Sequence, residues 1–263
     1  MFEKERDVAI EAVTKAAALC QQVRESLVSA ETIAKMDKSP VTVADFGAQA
    51  VIIDAILKAF PEDPIVAEED TAALCGDDAC ALREKVLEYV RGSLPKMSET
   101  EMLDAIDSGH HRGGGSGRFW TLDPIDGTKG YIRGDQYAIA LALIENGKVV
   151  FGILGCPNLP FGGLGADGPR GVLLTARRGE GAVLMDMNSG VSRQILVTEE
   201  SDPSKAVFCE SFESAHTAHG VSAEVVHALG VNVAPARLDS QCKYAVVARG
   251  EAGVYTRLPP RED

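Results

Sequence analysis

Two aspartates in the stretch WTLDPIDGTKG, residues 120–130, have the type and spacing that metal chemistry needs. Asp123 and Asp126 are three positions apart, and carboxylates held this close raise each other's pKa unless positive charge lies between them. A divalent cation supplies that charge, and oxygen ligands of this kind suit Mg²⁺. The alternative is a solvated Asp-Pro turn followed by the N-cap of a helix. The pair alone leaves both interpretations open.

Two further acids lie where secondary-structure elements are expected to begin or end. Asp45, in KSPVTVADFGAQ, is expected at the start of a helix, after a turn and a short extended stretch. Glu68, in VAEED, is expected at the end of a short strand over 65–67. Each also has an ordinary interpretation, Asp45 as a helix N-cap and Glu68 as a surface acid.

The elements that must position these acids begin with helices. Apolar residues at helical spacing predict a helix over 3–29 and a second over 44–60, which ends before a proline. Residues 71–112 are mostly polar and helical and end in the loop SGHHRGGGSGR, which lacks the Gly-Lys-Ser/Thr of a phosphate-binding loop. We interpret His110 and His111, in this loop, as solvated residues rather than metal ligands.

From residue 119 onward the pattern is that of β-structure. A strand over 119–122 leads to Asp123, and apolar runs at 137–144 and 148–154 flank Asn146-Gly147, which is a strong hairpin signal. The other expected elements are a second hairpin around Gly179-Glu180, a helix near 222–229, a strand at 235–238, a helix that opens at Asp239-Ser240 and a strand at 253–258. Strands with interleaved helices predict a layered α/β or α+β fold.

Length and charge restrict the class of protein. The 263 residues allow one large domain or two modest ones, and proline and glycine near residue 155 predict domains of residues 1–155 and 156–263. The net charge of −13 argues against nucleic acid as a partner, because such a chain repels a polyphosphate backbone. The absence of a long apolar run, of a signal sequence and of CxxC pairs predicts reduced thiols, no membrane partner and a cytoplasmic location, with an organelle left open.

Five segments together resemble the inositol monophosphatase superfamily, and within it the 3′(2′),5′-bisphosphate nucleotidase branch. They are KMDKSPVTVADFGAQ (35–49), FPEDPIVAEED (60–70), GRFWTLDPIDGTKGYIRGDQYAIALALIENGKVVFGILGCPNLP (117–160), ESFESAHTAHG (210–220) and LDSQCKYAVVARGEAGVYTRLP (238–259). They follow the family order over nearly the whole chain. The resemblance implies an αβαβα sugar-phosphatase-like fold and Mg²⁺-dependent, lithium-sensitive hydrolysis of phosphomonoesters with two or three Mg²⁺ ions.

The resemblance also implies a metal site. Glu68, Asp123 and Asp126 would be ligands, together with the main-chain carbonyl of Ile125, and a bend at Pro124 would let the groups of this loop face one cavity. Since Mg²⁺ keeps several waters and takes few carboxylates, acids from different elements must converge. Two such ions can activate a water and relieve the charge on the phosphoryl and leaving oxygens.

Catalytic roles follow from the same resemblance. Asp45 would orient the attacking water, with help from Thr128, and would accept its proton. Gly127-Thr128 is expected to open a helix, so that free N–H groups there could hold a phosphate oxygen.

Four residues match positions that hold the adenosine and its second phosphate in the nucleotidase branch. They are His216, Ser240, Lys243 and Arg257. Ser240 and Lys243 are three positions apart near a helix start, and lysine and arginine suit a phosphate. The alternatives are a solvated helix residue for Lys243, an ion pair with a neighbouring acid for Arg257 and an ordinary loop residue for His216.

The function that this resemblance implies is hydrolysis of the 3′-phosphate of adenosine 3′,5′-bisphosphate, in sulfur assimilation or nucleotide detoxification. The substrate would be a small molecule, and sulfated bisphosphate nucleotides are additional candidates. One alternative is a phosphatase of inositol phosphates. A second alternative, from another class, is a protein that binds the nucleotide without turnover.

One family feature is absent from this sequence. The family places a further metal-site aspartate in a Trp-Asp motif downstream of VYTRLPPRED, whereas this sequence ends at Asp263 and its one tryptophan is Trp120. The sequence could be a fragment, a natural short form with little activity, or a chain in which Asp239 or Glu262 substitutes. We expect a truncated second domain, poor solubility and lower activity than a full-length relative, since sheet edge and apolar surface would be uncovered.

Overall fold

The computed structural model describes residues 2–27, 40–214 and 217–258, in which helices pack on a mixed β-sheet. The helices are α1 (Glu3–Leu27), α2 (Pro40–Ala59), α3 (Cys80–Ser93), α4 (Glu99–Asp107), α5 (Thr128–Arg133), α6 (His219–Ala228) and α7 (Cys242–Ala248). The strands are β1 (Ile65–Ala67), β2 (Arg118–Asp126), β3 (Ala138–Glu145), β4 (Lys148–Pro160), β5 (Arg170–Arg177), β6 (Gly181–Asp186), β7 (Ser192–Ile195), β8 (Phe208–Ser211), β9 (Ala236–Leu238) and β10 (Val254–Thr256).

Two β-sheets organise these strands. In the larger sheet β1 to β7 lie in sequence order, and β1 pairs parallel with β2 while each later strand pairs antiparallel with the one before it. The smaller sheet has the order β10-β8-β9 and is parallel. Both expected hairpins are present, the six cysteines are free thiols, and the predicted layered mixture of helix and sheet is confirmed.

The main hydrophobic core lies between α1, α2 and the strands β2 to β4. Small residues bring the two helices close together, since a Cβ on Gly47 of α2 would lie 2.9 Å from Cδ2 of Leu19 in α1. Residues 46–53 of α2 are all buried, which is typical of an internal helix. Neither α2 nor any other helix of the described residues is both long and apolar enough to cross a membrane. Because residues 46–53 are buried, the helix that carries Asp45 is enclosed by the core.

Three boundaries differ from the sequence predictions. The helix α2 begins at Pro40, where proline is favourable as a first residue, so Asp45 lies inside the helix and is not its N-cap. The helix α7 begins later than expected because Ser240 has a φ of 61°, which interrupts the helical backbone. The predicted domain boundary near residue 155 falls inside β4, whose pairing with β3 reaches Gly155 and whose pairing with β5 reaches Pro160. The change of sheet comes between β7 and β8, and a division into two domains stays a prediction.

Candidate active site

Glu68 and Asp123 are neighbours because β1 and β2 run parallel. Ala67 pairs with Leu122, and each of these residues precedes one of the two acids by one position. The carboxyl ends of the two strands therefore deliver the acids side by side. Burial raises the pKa of Asp123 above its ordinary value, and the charges of Glu68 and Asp126 and a hydrogen bond with Glu68 add to this shift.

Asp126 follows Asp123 across a β-bulge. Asp123 pairs with Ala140 and Asp126 pairs with Ala138, so β2 has one more residue than β3 between these pairs. In a regular strand, side chains three positions apart point to opposite faces, and an extra residue changes that alternation. Pro124 is tolerated in the bulge because proline has no N–H to contribute to the ladder. The bulge agrees with the bend that the sequence predicts at Pro124.

Asp45 approaches the same acids from α2. Burial raises its pKa to about 9, and the charges of Glu69, Glu68 and Asp123 contribute to the shift. Side chains from α2, β1 and β2 therefore share one electrostatic environment. When no cation compensates these charges, Asp45 holds a proton at neutral pH.

The chemistry of this acidic cluster, defined as Asp45, Glu68, Asp123 and Asp126, fits a divalent cation. Its donors are carboxylate oxygens, and within the described part of the chain none of them has an ion pair with Lys, Arg or His. Oδ1 of Asp123 is buried and has no hydrogen-bond partner. A hard cation would satisfy that oxygen and the repelling charges together.

The cluster is not arranged as a finished cage around an ion. Across the described residues, no three His, Cys, Asp or Glu side chains are placed so that they could hold one metal ion together. Asp126 instead uses Oδ2 to accept a hydrogen bond from the backbone N–H of Gln241, the N-cap residue of α7. Asp126 thus has a hydrogen-bond donor from a distant segment, whereas Oδ1 of Asp123 has none.

Two adjoining cavities lie next to the acidic cluster. Asp126 borders a polar cavity of about 560 Å³, whereas Asp123 borders an apolar groove of about 490 Å³ on the face of the larger sheet. Gln241 and Tyr244 line both of them. Asp123 and Asp126 thus border adjoining spaces, and the expectation that they face one cavity stays a prediction.

The polar cavity brings together residues that the sequence predicts for different tasks. It is lined by Asp126 and Thr128 from the first motif and by Ser240, Lys243 and Arg257 from the last. The hydrogen bond between Asp126 and Gln241 joins residues 115 positions apart, so the fold alone creates this meeting. The side chain of Ile125 is buried in the core, and the role predicted for its carbonyl stays a prediction.

Arg133, in the segment that contains Asp126 and Thr128, forms an ion pair with Asp239, next to Ser240. Its guanidinium forms ion pairs with Asp135 at 2.8 Å, with Glu213 at 2.6 Å and with Asp239. Because Asp239 is already neutralised by Arg133, it does not fit the role of a substitute metal ligand. The other candidate for that role, Glu262, lies outside the described residues, as does His216.

Lys243 and Arg257 do not have the environments that their alternative interpretations predict. Lys243 is 7% exposed and its Nζ donates to the carbonyl of Leu238 at 3.3 Å, so it is not a solvated helix residue. Burial lowers the pKa of Lys243, and the charges of Asp126 and Asp239 oppose that shift. Arg257 is exposed at the cavity and has no ion pair with any acid of the described segments. Both cations therefore remain available to an anion in the polar cavity.

Some contributors to the site were missed in the sequence. Glu69 is the charge that acts most strongly on the pKa of Asp45, and its position beside Glu68 could have signalled this. The contribution of Gln241 is a backbone N–H, which no residue type can signal. The rings of Tyr244 and Tyr255 lie 5.5 Å apart at 85° and both line the polar cavity.

Comparison with known proteins shows the family of this chain. Residues 2–262 match the model of a family described as the inositol monophosphatase family. The chain is 41% identical over 276 residues to 3′(2′),5′-bisphosphate nucleotidase 1 of Arabidopsis thaliana, covering 98% of this chain and 78% of the relative. It is 44% identical over 288 residues to the 3′(2′),5′-bisphosphate nucleotidase of Emericella nidulans, covering 100% of this chain and 81% of the relative.

Solved structures show the fold independently. The IMPase of Thermotoga maritima superposes with a TM-score of 0.61 at 24% identity, covering 94% of this chain and 74% of that one. CysQ from Bacteroides thetaiotaomicron superposes with a TM-score of 0.59 at 20% identity, covering 98% and 80%. At these sequence identities the structural similarity shows the fold alone.

Proposed function

The chain belongs to the inositol monophosphatase family, and from this premise we propose that it hydrolyses the 3′-phosphate of adenosine 3′,5′-bisphosphate, giving AMP and phosphate. Support comes from the relatives described above, which carry the nucleotidase name. The observation that carries the proposal is the polar cavity, in which Asp126 and Thr128 meet Ser240, Lys243 and Arg257. A phosphate ester with a second anionic group matches that arrangement.

Family membership makes the chain a metal-dependent phosphatase, and we assign the metal as two or three Mg²⁺ ions. Glu68, Asp123, Asp126 and the carbonyl of Ile125 would hold it. Mg²⁺ held there would supply a water of lowered pKa and positive charge for the phosphoryl and leaving oxygens. The buried, unpartnered oxygen of Asp123 supports this assignment.

Asp45 would act as the base that orients the attacking water and takes its proton. In the metal-free chain its pKa of about 9 keeps it protonated, which is the wrong state for a base. Positive charge among the acids would lower that pKa and free the carboxylate. The hydroxyl of Thr128, which is exposed at the polar cavity, would help to hold the water or a phosphate oxygen.

The other end of the polar cavity would bind the nucleotide. Lys243 and Arg257 carry the charge that a second phosphate requires, and Ser240 offers a hydroxyl beside them. Tyr244 is 50% exposed, so a ring face is open to a planar base. Aromatic rings favour a nucleobase over the saturated ring of inositol, so inositol phosphates rank second and binding without turnover third.

Phosphate release tests the proposal. The purified chain is incubated with adenosine 3′,5′-bisphosphate or with inositol 1-phosphate, each in Mg²⁺ or in EDTA. We expect Mg²⁺-dependent, lithium-inhibited release that is faster with the nucleotide. Faster release from inositol phosphate would favour the first alternative, and calorimetric binding of the nucleotide with no release would favour the second. A cytoplasmic location stays part of this proposal.

A further inference from the structure

Gln49 is a fully buried amide on the helix that carries Asp45. It lies four positions after Asp45, so both side chains leave α2 on the same face. Its Nε2 donates to the carbonyl of Glu69 at 2.7 Å and to the carbonyl of Ile106 at 3.1 Å. Its Oε1 accepts from the backbone N–H of Glu69 at 3.0 Å. Both donors of the amide are therefore used, and two of its three hydrogen bonds go to one residue.

The contacts of Gln49 with Glu69 lie just beyond the last paired residue of β1. The last residue of β1, Ala67, pairs with Leu122 on one side and donates its N–H to the carbonyl of Gly109 at 2.8 Å on the other. Two positions later, Gln49 pairs with both the N–H and the carbonyl of Glu69, as a neighbouring strand would. Glu68 is the single residue between these two anchors.

Gly109 allows this arrangement because it lies against both β1 and the amide of Gln49. A Cβ on Gly109 would lie 2.6 Å from Cβ of Ala67 and 3.3 Å from Nε2 of Gln49. The loop that contains Gly109 can therefore approach β1 and the amide only because this residue has no side chain. The end of β1 is held on both edges by contacts that tolerate little displacement.

We propose that Gln49 is a positioning residue, which fixes the backbone around Glu68 so that its carboxylate lies beside Asp123 and within reach of Asp45. The proposal rests on the proposed function, because it assigns Gln49 to the acids of that active site. Gln49 is hydrogen-bonded to the main chain of Glu69 and of Ile106, and it would act on Glu68 through the main chain of Glu69. Neighbouring residues that orient metal ligands commonly change metal affinity or activity by about 10- to 100-fold when they are replaced.

The side-chain chemistry at position 49 is restrictive. Leucine would fill similar space but would leave the N–H and carbonyl of Glu69 without partners in a partly buried place. Glutamate would keep an acceptor for the Glu69 N–H but would lose the donors and add a carboxyl group close to the acidic cluster. An amide is the side chain that supplies both a donor and an acceptor without charge.

The test compares Q49L with wild type in the full chain, with I56A as control. Ile56 is a fully buried residue of the same helix that lies in the hydrophobic core and is not part of the acidic cluster. In metal-free protein, hydrogen exchange at the Glu69 amide is measured. In addition, calorimetric titration with Mg²⁺ gives the metal affinity, and kinetics with adenosine 3′,5′-bisphosphate give kcat and KM.

For Q49L we expect Glu69 exchange at least about 10-fold faster, Mg²⁺ affinity and kcat lowered by about 10- to 100-fold and KM nearly unchanged. I56A should lower the melting temperature. At a temperature where I56A is folded, its Glu69 exchange rate, Mg²⁺ affinity, kcat and KM should equal those of wild type. If Q49L fails to fold, G109A is the second variant, since a Cβ there would lie 2.6 Å from Cβ of Ala67 and displace β1, and it should give the same pattern.

Either of two results would overturn the proposal. Wild-type exchange at Glu69 together with wild-type Mg²⁺ affinity in Q49L would remove the positioning role, and so would an equal loss in I56A. If the wild-type chain releases no phosphate from the nucleotide, the proposed function fails. In that case the exchange and Mg²⁺ titrations still decide the role of Gln49.

Discussion

Gly127 lies directly against Ser240. A Cβ at position 127 would be 2.7 Å from the Cβ of Ser240, and Gly127 has a φ of 90°, which L side chains rarely adopt. Gly127 is the N-cap residue of α5, and Ser240 lies two positions before α7, so this contact is one of those that bring the two halves of the polar cavity together.

G127A should therefore open or distort the polar cavity. Because the methyl group requires both strain in the backbone and movement of Ser240, we expect activity to fall at least about 10-fold, with a loss of stability of about 1–3 kcal/mol. Phosphate release and thermal unfolding measure the two effects. The matched control is G115A, since a Cβ there would meet nothing within 4 Å. Unchanged activity in G127A would show that this contact is not needed for the site.

Asp45 should make the metal-free protein less stable as pH rises. Its folded pKa of about 9 exceeds its ordinary value of 3.8, so the folded state keeps a proton that the unfolded state releases. The stabilisation is complete below the unfolded pKa and is lost as pH rises through the interval up to about 9. Melting temperatures in EDTA at pH values across this interval should therefore fall, and they should fall less in D45N.

Mg²⁺ should change that pH dependence. A bound cation favours the ionised form of Asp45, so saturating Mg²⁺ should raise the melting temperature and flatten its fall with pH. D54N is the control, because Asp54 lies on the same helix but pairs at the surface with Lys58 at 2.8 Å, and it should keep the wild-type slope. The same slope in D45N and wild type would contradict the raised pKa.

Lys243 should contribute to binding of the second phosphate. In K243M we expect KM for adenosine 3′,5′-bisphosphate to rise by about 10- to 100-fold, since a charge-assisted hydrogen bond is lost. With 3′-AMP, which lacks the second phosphate, the change in KM should be small. Steady-state kinetics on both substrates separate these cases. K129M is the control, because Lys129 lines the same cavity but already pairs with Glu213 at 3.3 Å.

Tyr244 should discriminate between substrate classes. Stacking of a base on an aromatic ring contributes about 1–3 kcal/mol, so Y244A should raise KM for adenosine 3′,5′-bisphosphate by at least about 5-fold. Hydrolysis of inositol 1-phosphate should be unaffected, and Y244F should behave as wild type because it keeps the ring. An equal effect of Y244A on both substrates would indicate that Tyr244 supports the fold rather than a base.

Much of the fold could be predicted because local patterns determine it. Asn146-Gly147 specified its hairpin, and apolar periodicity specified α1 and α2. The errors came where longer-range packing overrides local signals. Asp45 was expected at a helix start, yet buried contacts extend α2 back to Pro40. Pro157 and Pro160 suggested a domain boundary, yet both lie in β4, which pairs with β5 as far as Pro160, and the division into domains stays a prediction.

The sequence by itself determined which groups are present for chemistry, since the acids, Thr128, Lys243 and Arg257 are properties of residue type and motif. Only the tertiary structure decided their mutual placement, through the parallel register of Ala67 with Leu122 and the contact of Asp126 with Gln241. The physical reason is that register and backbone hydrogen bonds between distant segments depend on how the whole core packs. For the same reason the backbone N–H of Gln241 and the buried amide of Gln49 were visible only in the folded chain.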